Sequence, residues 1–125
     1  MPFKFMATRS KCEKQLQKLL KAAYPKLKIK YNDRKTLGYE LDVYIPSLSL
    51  AVELNGPVHY KPIYGEETYT QVVLRDIQRE RMCKKYKISL MIIDIQHLTK
   101  INEDTVWPIA SRIITEIENR LSALD

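Results

Sequence analysis

Three stretches of the chain alternate between apolar and polar residues with a period of two, the signature of strands with one buried face. Leu27, Ile29 and Tyr31 alternate with Lys26, Lys28 and Lys30. After a predicted turn at Asn32-Asp33-Arg34-Lys35, Tyr39, Leu41, Val43 and Ile45 alternate with Glu40, Asp42 and Tyr44. Past Pro46-Ser47, Leu48, Leu50, Val52 and Leu54 alternate with Ser49, Ala51 and Glu53, and Asn55-Gly56-Pro57 stops the run. The second and third stretches are joined so tightly that they predict an antiparallel hairpin. A fourth stretch, Ile88 to Ile95, is almost continuously apolar and β-branched, which predicts a buried central strand.

Helical spacing fills the intervals. Leu16, Leu19, Leu20 and Ala23 follow Ser10 and Glu13, a predicted capping box, and Tyr24-Pro25 ends the helix. Residues 1–9 then read as a short basic arm. A Pro-, Gly- and Tyr-rich loop covers residues 55–67. Val72, Val73, Ile77, Met82 and Cys83 predict a helix from about Thr68 to Tyr86. Val106, Ile109, Ala110, Ile113, Ile114, Ile117 and Leu121 predict an amphipathic helix over about 103–122, with Pro108 near its first turn. The order α-β-β-β-α-β-α predicts an α/β fold with a mixed sheet flanked by helices.

Composition narrows the classes. A chain of 125 residues is expected to form one domain and to bury about two thirds of its unfolded surface. With 45% hydrophobic and 29% charged residues, wholesale disorder is excluded. No apolar run reaches the ~20 residues a membrane helix needs, and Met1–Met6 lacks a secretory apolar region. An intracellular protein, in cytoplasm or nucleoid, is therefore expected. Cys12 and Cys83 are too far apart for a CxxC pair and read as reduced thiols packed in helices. The balance of 21 Lys+Arg against 15 Asp+Glu, a net charge of +6, favours a polyanionic partner, most simply nucleic acid.

Two residues break the strand pattern. Asp42 and Glu53 lie mid-strand, each on the face opposite the Leu/Val set, and the hairpin sets them nearly opposite each other. Carboxylates so close repel unless a cation lies between them. Mg²⁺ or Mn²⁺ fits that demand, because it binds through one or two carboxylates plus waters and substrate phosphate. The bland alternative is a pair of solvent-facing or lysine-paired acids. His59 follows Glu53 closely in the next loop, where an imidazole can act as general acid or base. On the following helix, Gln71, Arg75, Asp76, Arg79 and Glu80 form a polar run that either presents Asp76 and Arg79 to a phosphate or is simply solvated.

Glu40-Leu41-Asp42-Val43-Tyr44-Ile45-Pro46, Leu50-Ala51-Val52-Glu53-Leu54-Asn55-Gly56, His59-Tyr60, Asp76-x-x-Arg79 and Ile88-Ser89-Leu90-Met91-Ile92-Ile93 occur in that order. Together they resemble the PD-(D/E)XK nuclease superfamily. The nearest likeness is to its very-short-patch repair and phage homing endonuclease branch, whose signature is written EDxHD. The likeness covers about residues 10–96 and implies a restriction-endonuclease-like α-β-β-β-α-β core, here followed by a further helix. By that resemblance Asp42 and Glu53 are metal-binding residues, with the Leu54 carbonyl as a backbone ligand. His59 and Asp76 complete the catalytic set. Glu13 matches the N-terminal glutamate that holds a metal-bound water, and Glu40 competes for that role. The motif's lysine position is held by Asn55; His59, Gln71 or Arg79 are the candidates to take over its task. The structural zinc site of the repair enzymes has no cysteines here.

The resemblance implies a Mg²⁺- or Mn²⁺-dependent DNA endonuclease acting on duplex or branched DNA, and is compatible with a phage or mobile-element origin. Asp42 and Glu53 hold the metal, His59 moves the proton, and Asp76 orients His59 or a second metal. Arg75, Arg79 and the lysines Lys14, Lys18, Lys28 and Lys30 contact phosphates, which position a duplex without reading it. Tyr60 and Lys61 offer groove contacts or stacking. No appended DNA-reading module is present, so specificity is expected from the 55–67 loop, a homodimer or a partner protein. Two other classes compete: a nuclease-like fold that binds nucleic acid without cutting it, and an interaction protein in which the acids are salt-bridge partners.

Overall fold

The computed structural model describes residues 2–124, with side chains from residue 9 onward. Its elements are α1 (Pro2–Ala23), β1 (Lys30–Asp33), β2 (Leu41–Ile45), β3 (Leu50–Asn55), α2 (Glu66–Lys85), β4 (Ser89–Asp94) and α3 (Glu103–Ala123), with single 3-10 turns at Pro46–Leu48 and Pro57–His59. This is the predicted order. The four strands form one mixed sheet in the order β1-β2-β3-β4. β1 and β2, and β2 and β3, are antiparallel, whereas β3 and β4 are parallel and joined through α2. No described helix is long and apolar enough to cross a membrane.

One face of the sheet carries the main apolar core. Val43, Ile45, Leu50, Val52, Leu54 and Ile93 pack against Cys12, Leu16 and Leu20 of α1 and against Val106, Ile109, Ala110, Ile113 and Ile117 of α3. Fully burying each such side chain contributes about 1.5–3 kcal/mol, so this layer dominates the apolar stabilisation. Asn102 caps α3: its side-chain oxygen accepts from the Thr105 amide at 2.9 Å, and Thr105 Oγ1 accepts from the Asn102 amide at 2.9 Å. Arg120 Nη1 then donates to the Leu48 carbonyl at 3.1 Å, tying the far end of α3 to the hairpin turn. The opposite face is covered by α2 over a smaller cluster of Leu37, Leu41, Tyr44, Ala51, Cys83 and Ile88. Both cysteines are free and buried, as expected.

Six local expectations are corrected. The stretch before Ser10 is helical back to Pro2, because a proline in the first turn lacks only an N–H that has no intrahelical partner there. Ser10 is therefore interior to α1, and Glu13 pairs with Arg9 one turn back, Nε to Oε1 at 3.2 Å, instead of closing a capping box. β1 begins at Lys30, not Leu27: by its register Ile29 would face Ile45, where the partner strand turns away at Pro46. The predicted turn at 32–35 lies further on. β1 continues through Asp33, whose carboxylate accepts from the Lys35 and Thr36 amides, and Gly38 N–H closes onto the Arg34 carbonyl at 3.1 Å. Pro108 is the sixth residue of α3, beyond its first turn.

The sixth correction concerns β4, which is an edge strand. β3 already pairs with β2 on its other side, and no described strand follows to cover β4. Ile93 is buried, yet Ile92 is 48% exposed. A continuous apolar run reports two-sided burial only when both flanks and both faces are occupied.

Candidate active site

The hairpin register pairs Val43 with Val52 and Tyr44 with Ala51. One step further along this ladder, Asp42 lies opposite Glu53. Both are almost completely buried, because α2 closes the face that a two-layer protein would leave open to water. The reading of solvent-facing acids is thereby corrected.

Each carboxylate is held from a different side. Asp42 Oδ2 accepts from the Leu54 amide at 2.7 Å. Its Oδ1 accepts from Arg9 Nη2, and the same guanidinium reaches Glu13 through Nε. Arg9 is thus a site residue that the sequence reading omitted; its spacing of four from Glu13 was the available signal. Burial disfavours the Arg9 charge, but Asp42 and Glu13 outweigh it and hold the guanidinium pKa above its ordinary value. The recorded contact at Leu54 is made by its amide, which anchors Asp42.

Glu53 Oε1 is buried and has no hydrogen-bond partner among the described residues. Arg79 Nε stands 3.4 Å away but donates to the Glu40 carbonyl at 3.0 Å. Burial, followed by the charge of Asp42 and a shared hydrogen bond with it, pushes the Glu53 carboxyl up to about 9, against the pull of Arg79 and Arg9. The metal-free pair therefore holds a proton at neutral pH. Glu13 is also raised, by burial and then by Asp42, with Arg9 opposing. The side chain of Asn55 is buried with Oδ1 unpartnered among the described residues.

His59 and Asp76 come together although 17 positions apart. Nδ1 of His59 lies 2.8 Å from Asp76 Oδ2, and Arg79 Nη1 donates to Asp76 Oδ1 at 2.9 Å. Burial alone would raise the Asp76 pKa, but His59 and then Arg79 bring it below the usual aspartate value. An ionised Asp76 can only accept, so Nδ1 carries the hydrogen, and in the neutral imidazole Nε2 keeps its lone pair. A cavity of about 190 Å³ gathers Arg9, Glu40, Glu53, His59, Asp76 and Arg79, together with Arg75, Val58 and Val72. Arg9 and Glu40 also line a second cavity, of about 300 Å³, with Ser10, Glu13 and Asn32.

The remaining predicted residues divide clearly. Glu13 and Glu40 both border the site, the latter also facing Arg34 at 3.5 Å. Arg75 is exposed at the first cavity. Arg79 is tied to Glu40, Asp76 and Glu53, so it organises the site rather than standing free for DNA. Gln71 is exposed and lines neither cavity. Lys14, Lys18, Lys28, Tyr60 and Lys61 are exposed, and Lys30 is half-buried on β1.

The donor set suits a hard cation. Among the described residues no group of three or more His, Cys, Asp or Glu side chains could hold a metal ion by itself. A zinc-type cage takes three or four such ligands, whereas Mg²⁺ binds through one or two carboxylates and completes its shell with water and phosphate. A buried pair with an unpartnered carboxylate oxygen meets that requirement. Compared with known proteins, the chain matches no family model, no curated protein and no solved structure.

Proposed function

We propose that the protein is a Mg²⁺- or Mn²⁺-dependent DNA endonuclease of the PD-(D/E)XK type. The observation that carries this reading is the buried Asp42–Glu53 pair on adjacent strands, with Glu53 Oε1 lacking a hydrogen-bond partner among the described residues and Glu53 lining the same cavity as the His59–Asp76 dyad. Asp42 and Glu53 would hold the ion. When bound, it supplies charge neutralisation at a phosphodiester and lowers the pKa of an attacking water.

The chain's own residues account for the other requirements. Asp76, fixed by Arg79, holds His59 in one tautomer, and the free Nε2 can take a proton from water or, once protonated, give one to the leaving oxygen. Arg79 supplies the cation nearest Glu53, in a site where Asn55 replaces the motif's lysine. Arg75 and the exposed lysines Lys14, Lys18, Lys28 and Lys61 offer phosphate contacts, consistent with the net charge of +6.

A specific observation favours a second reading. Arg9 and Arg79 already face the carboxylates, so the pair has cationic neighbours without an added ion. That arrangement suits a nuclease-like fold that binds nucleic acid without cutting it.

One experiment separates the two. Supercoiled plasmid and branched DNA are incubated with the protein and Mg²⁺ or Mn²⁺, beside Glu53→Ala and an EDTA control. Cleavage by the wild type, lost in both controls, is the expected result. Salt-sensitive binding without cleavage, equal in wild type and variant, would establish the binding module.

A further inference from the structure

Both oxygens of Asp42 already accept a hydrogen bond. Oδ2 is taken by the Leu54 amide at 2.7 Å, and Oδ1 carries the Arg9 guanidinium. An ion shared by Asp42 Oδ1 and the unpartnered Glu53 Oε1 would need the place Arg9 holds. The Asp42 side chain is wholly buried, whereas that of Arg9 is 38% exposed, so only the arginine has room to leave. It also has a destination: Arg9 stands between the site cavity and the neighbouring one of about 300 Å³, lined by Ser10, Glu13, Asn32 and Glu40. Its Nε is already on Glu13, which can keep the guanidinium after Asp42 has let go.

We propose that Arg9 is the resident cation of the carboxylate pair, and that a divalent ion enters by displacing it from Asp42 onto Glu13. This rests on the reading of Asp42 and Glu53 as metal-binding residues. Arg9 is then a positioning residue with two states. In one it neutralises Asp42 and keeps the metal-free site folded. In the other it leaves Asp42 to the ion and remains beside the cavity on α1. Metal affinity is lower than the bare carboxylates would give, because each binding event breaks a charge-assisted hydrogen bond.

The test is Mn²⁺ binding by calorimetry on the full chain, comparing wild type, Arg9→Met and Glu53→Gln. Methionine keeps most of the arginine stem and removes the charge. Such a hydrogen bond corresponds to about one to two powers of ten in an equilibrium constant. Arg9→Met is therefore expected to bind Mn²⁺ about tenfold or more tightly than wild type, while melting at a lower temperature without metal and regaining more on its addition. Equal or weaker binding by Arg9→Met, with binding abolished in Glu53→Gln, overturns the displacement alone. Absence of Mn²⁺ binding in both wild type and Arg9→Met overturns it together with the nuclease reading. A measurement on the wild type covers the case of a poorly folded variant. The Arg9 Nη–Hη resonances, which report the bond to Asp42, should shift in step with Mg²⁺ saturation, and unchanged resonances at saturation would sink the proposal.

Discussion

The two faces of the central sheet are built from the same strands and differ in almost everything else. On one face Val43, Val52, Leu54 and Ile93 meet two helices in a continuous apolar layer. On the other, Tyr44 and Ala51 join a small cluster under α2, and the next positions along the same strands are Asp42 and Glu53. The first face needs only complementary volume, since dispersion and water exclusion are non-directional. The second needs each buried charge to find a partner, because an unpaired one costs several kcal/mol. Arg9, Arg79 and the Leu54 amide meet that need in part, and Glu53 Oε1 is left without a hydrogen bond among the described residues. Where one face is saturated and the other is left open, the open one is the place to look for a ligand.

Substitutions can sharpen or break this contrast. The largest effect is expected from Glu53→Gln, which should lower plasmid nicking by about a thousandfold while leaving the far-ultraviolet circular dichroism unchanged. Ile113→Ala, in the apolar layer, should do the reverse. It should cost about 2–5 kcal/mol in urea unfolding and leave nicking by the remaining folded fraction near normal. Asp76→Asn should slow nicking by about a hundredfold, and the pH profile should change with it, as the histidine loses the acceptor that fixes its tautomer. Equal losses of activity and stability across all three variants would show that the two faces do not have separate tasks.

A smaller effect should appear with pH. The Glu53 carboxyl is raised from 4.5 to about 9 in the folded chain, so between those values the folded state holds a proton that the unfolded state has released. Stability contributed this way is complete below the unfolded pKa and is lost as pH rises through the folded one. In EDTA the unfolding free energy, read from urea titrations, should fall from about pH 5 to pH 9, by no more than about 1.4 kcal/mol per pH unit. Glu53→Gln should flatten that slope. A slope unchanged in Glu53→Gln would assign it to other groups. The smallest effect is expected on the outer side of α2. Ile77→Ala removes a side chain that is 41% exposed and should change stability by about 0.5 kcal/mol or less, a tenth of some core truncations.

The strands β2 and β3 and the helix α3 were legible because each carries a full period of its own pattern. Asp42 and Glu53 were legible for a related reason: a charge in the middle of a β-branched run contradicts its own strand. Arg9 was not. It lies in a stretch read as an arm, and its partner Asp42 is 33 positions away, so no local rule links them. The helix caps show the same division. Ser10 and Glu13 have the spacing of a capping box but lie inside a helix, while Asn102 and Thr105 form one with a less usual residue pair. A box is a property of where the backbone leaves the helix, which the four residues alone do not set.

The sequence by itself determined the order of the elements, the antiparallel hairpin, the acidic pair on one side of it and the apolar stripe of α3. These depend on neighbours close together in the sequence. The tertiary structure alone decided which strand is the edge, which acids are buried, and which cations reach them. β4 became an edge because the crossover through α2 set it beside β3 with no described strand beyond it. Glu53 was buried because α2 closed the face over it, and Asp42 acquired Arg9 because α1 continues back past Ser10. Each of these outcomes depends on packing between elements distant in the chain, where desolvation and charge act over ångströms of space instead of positions in sequence.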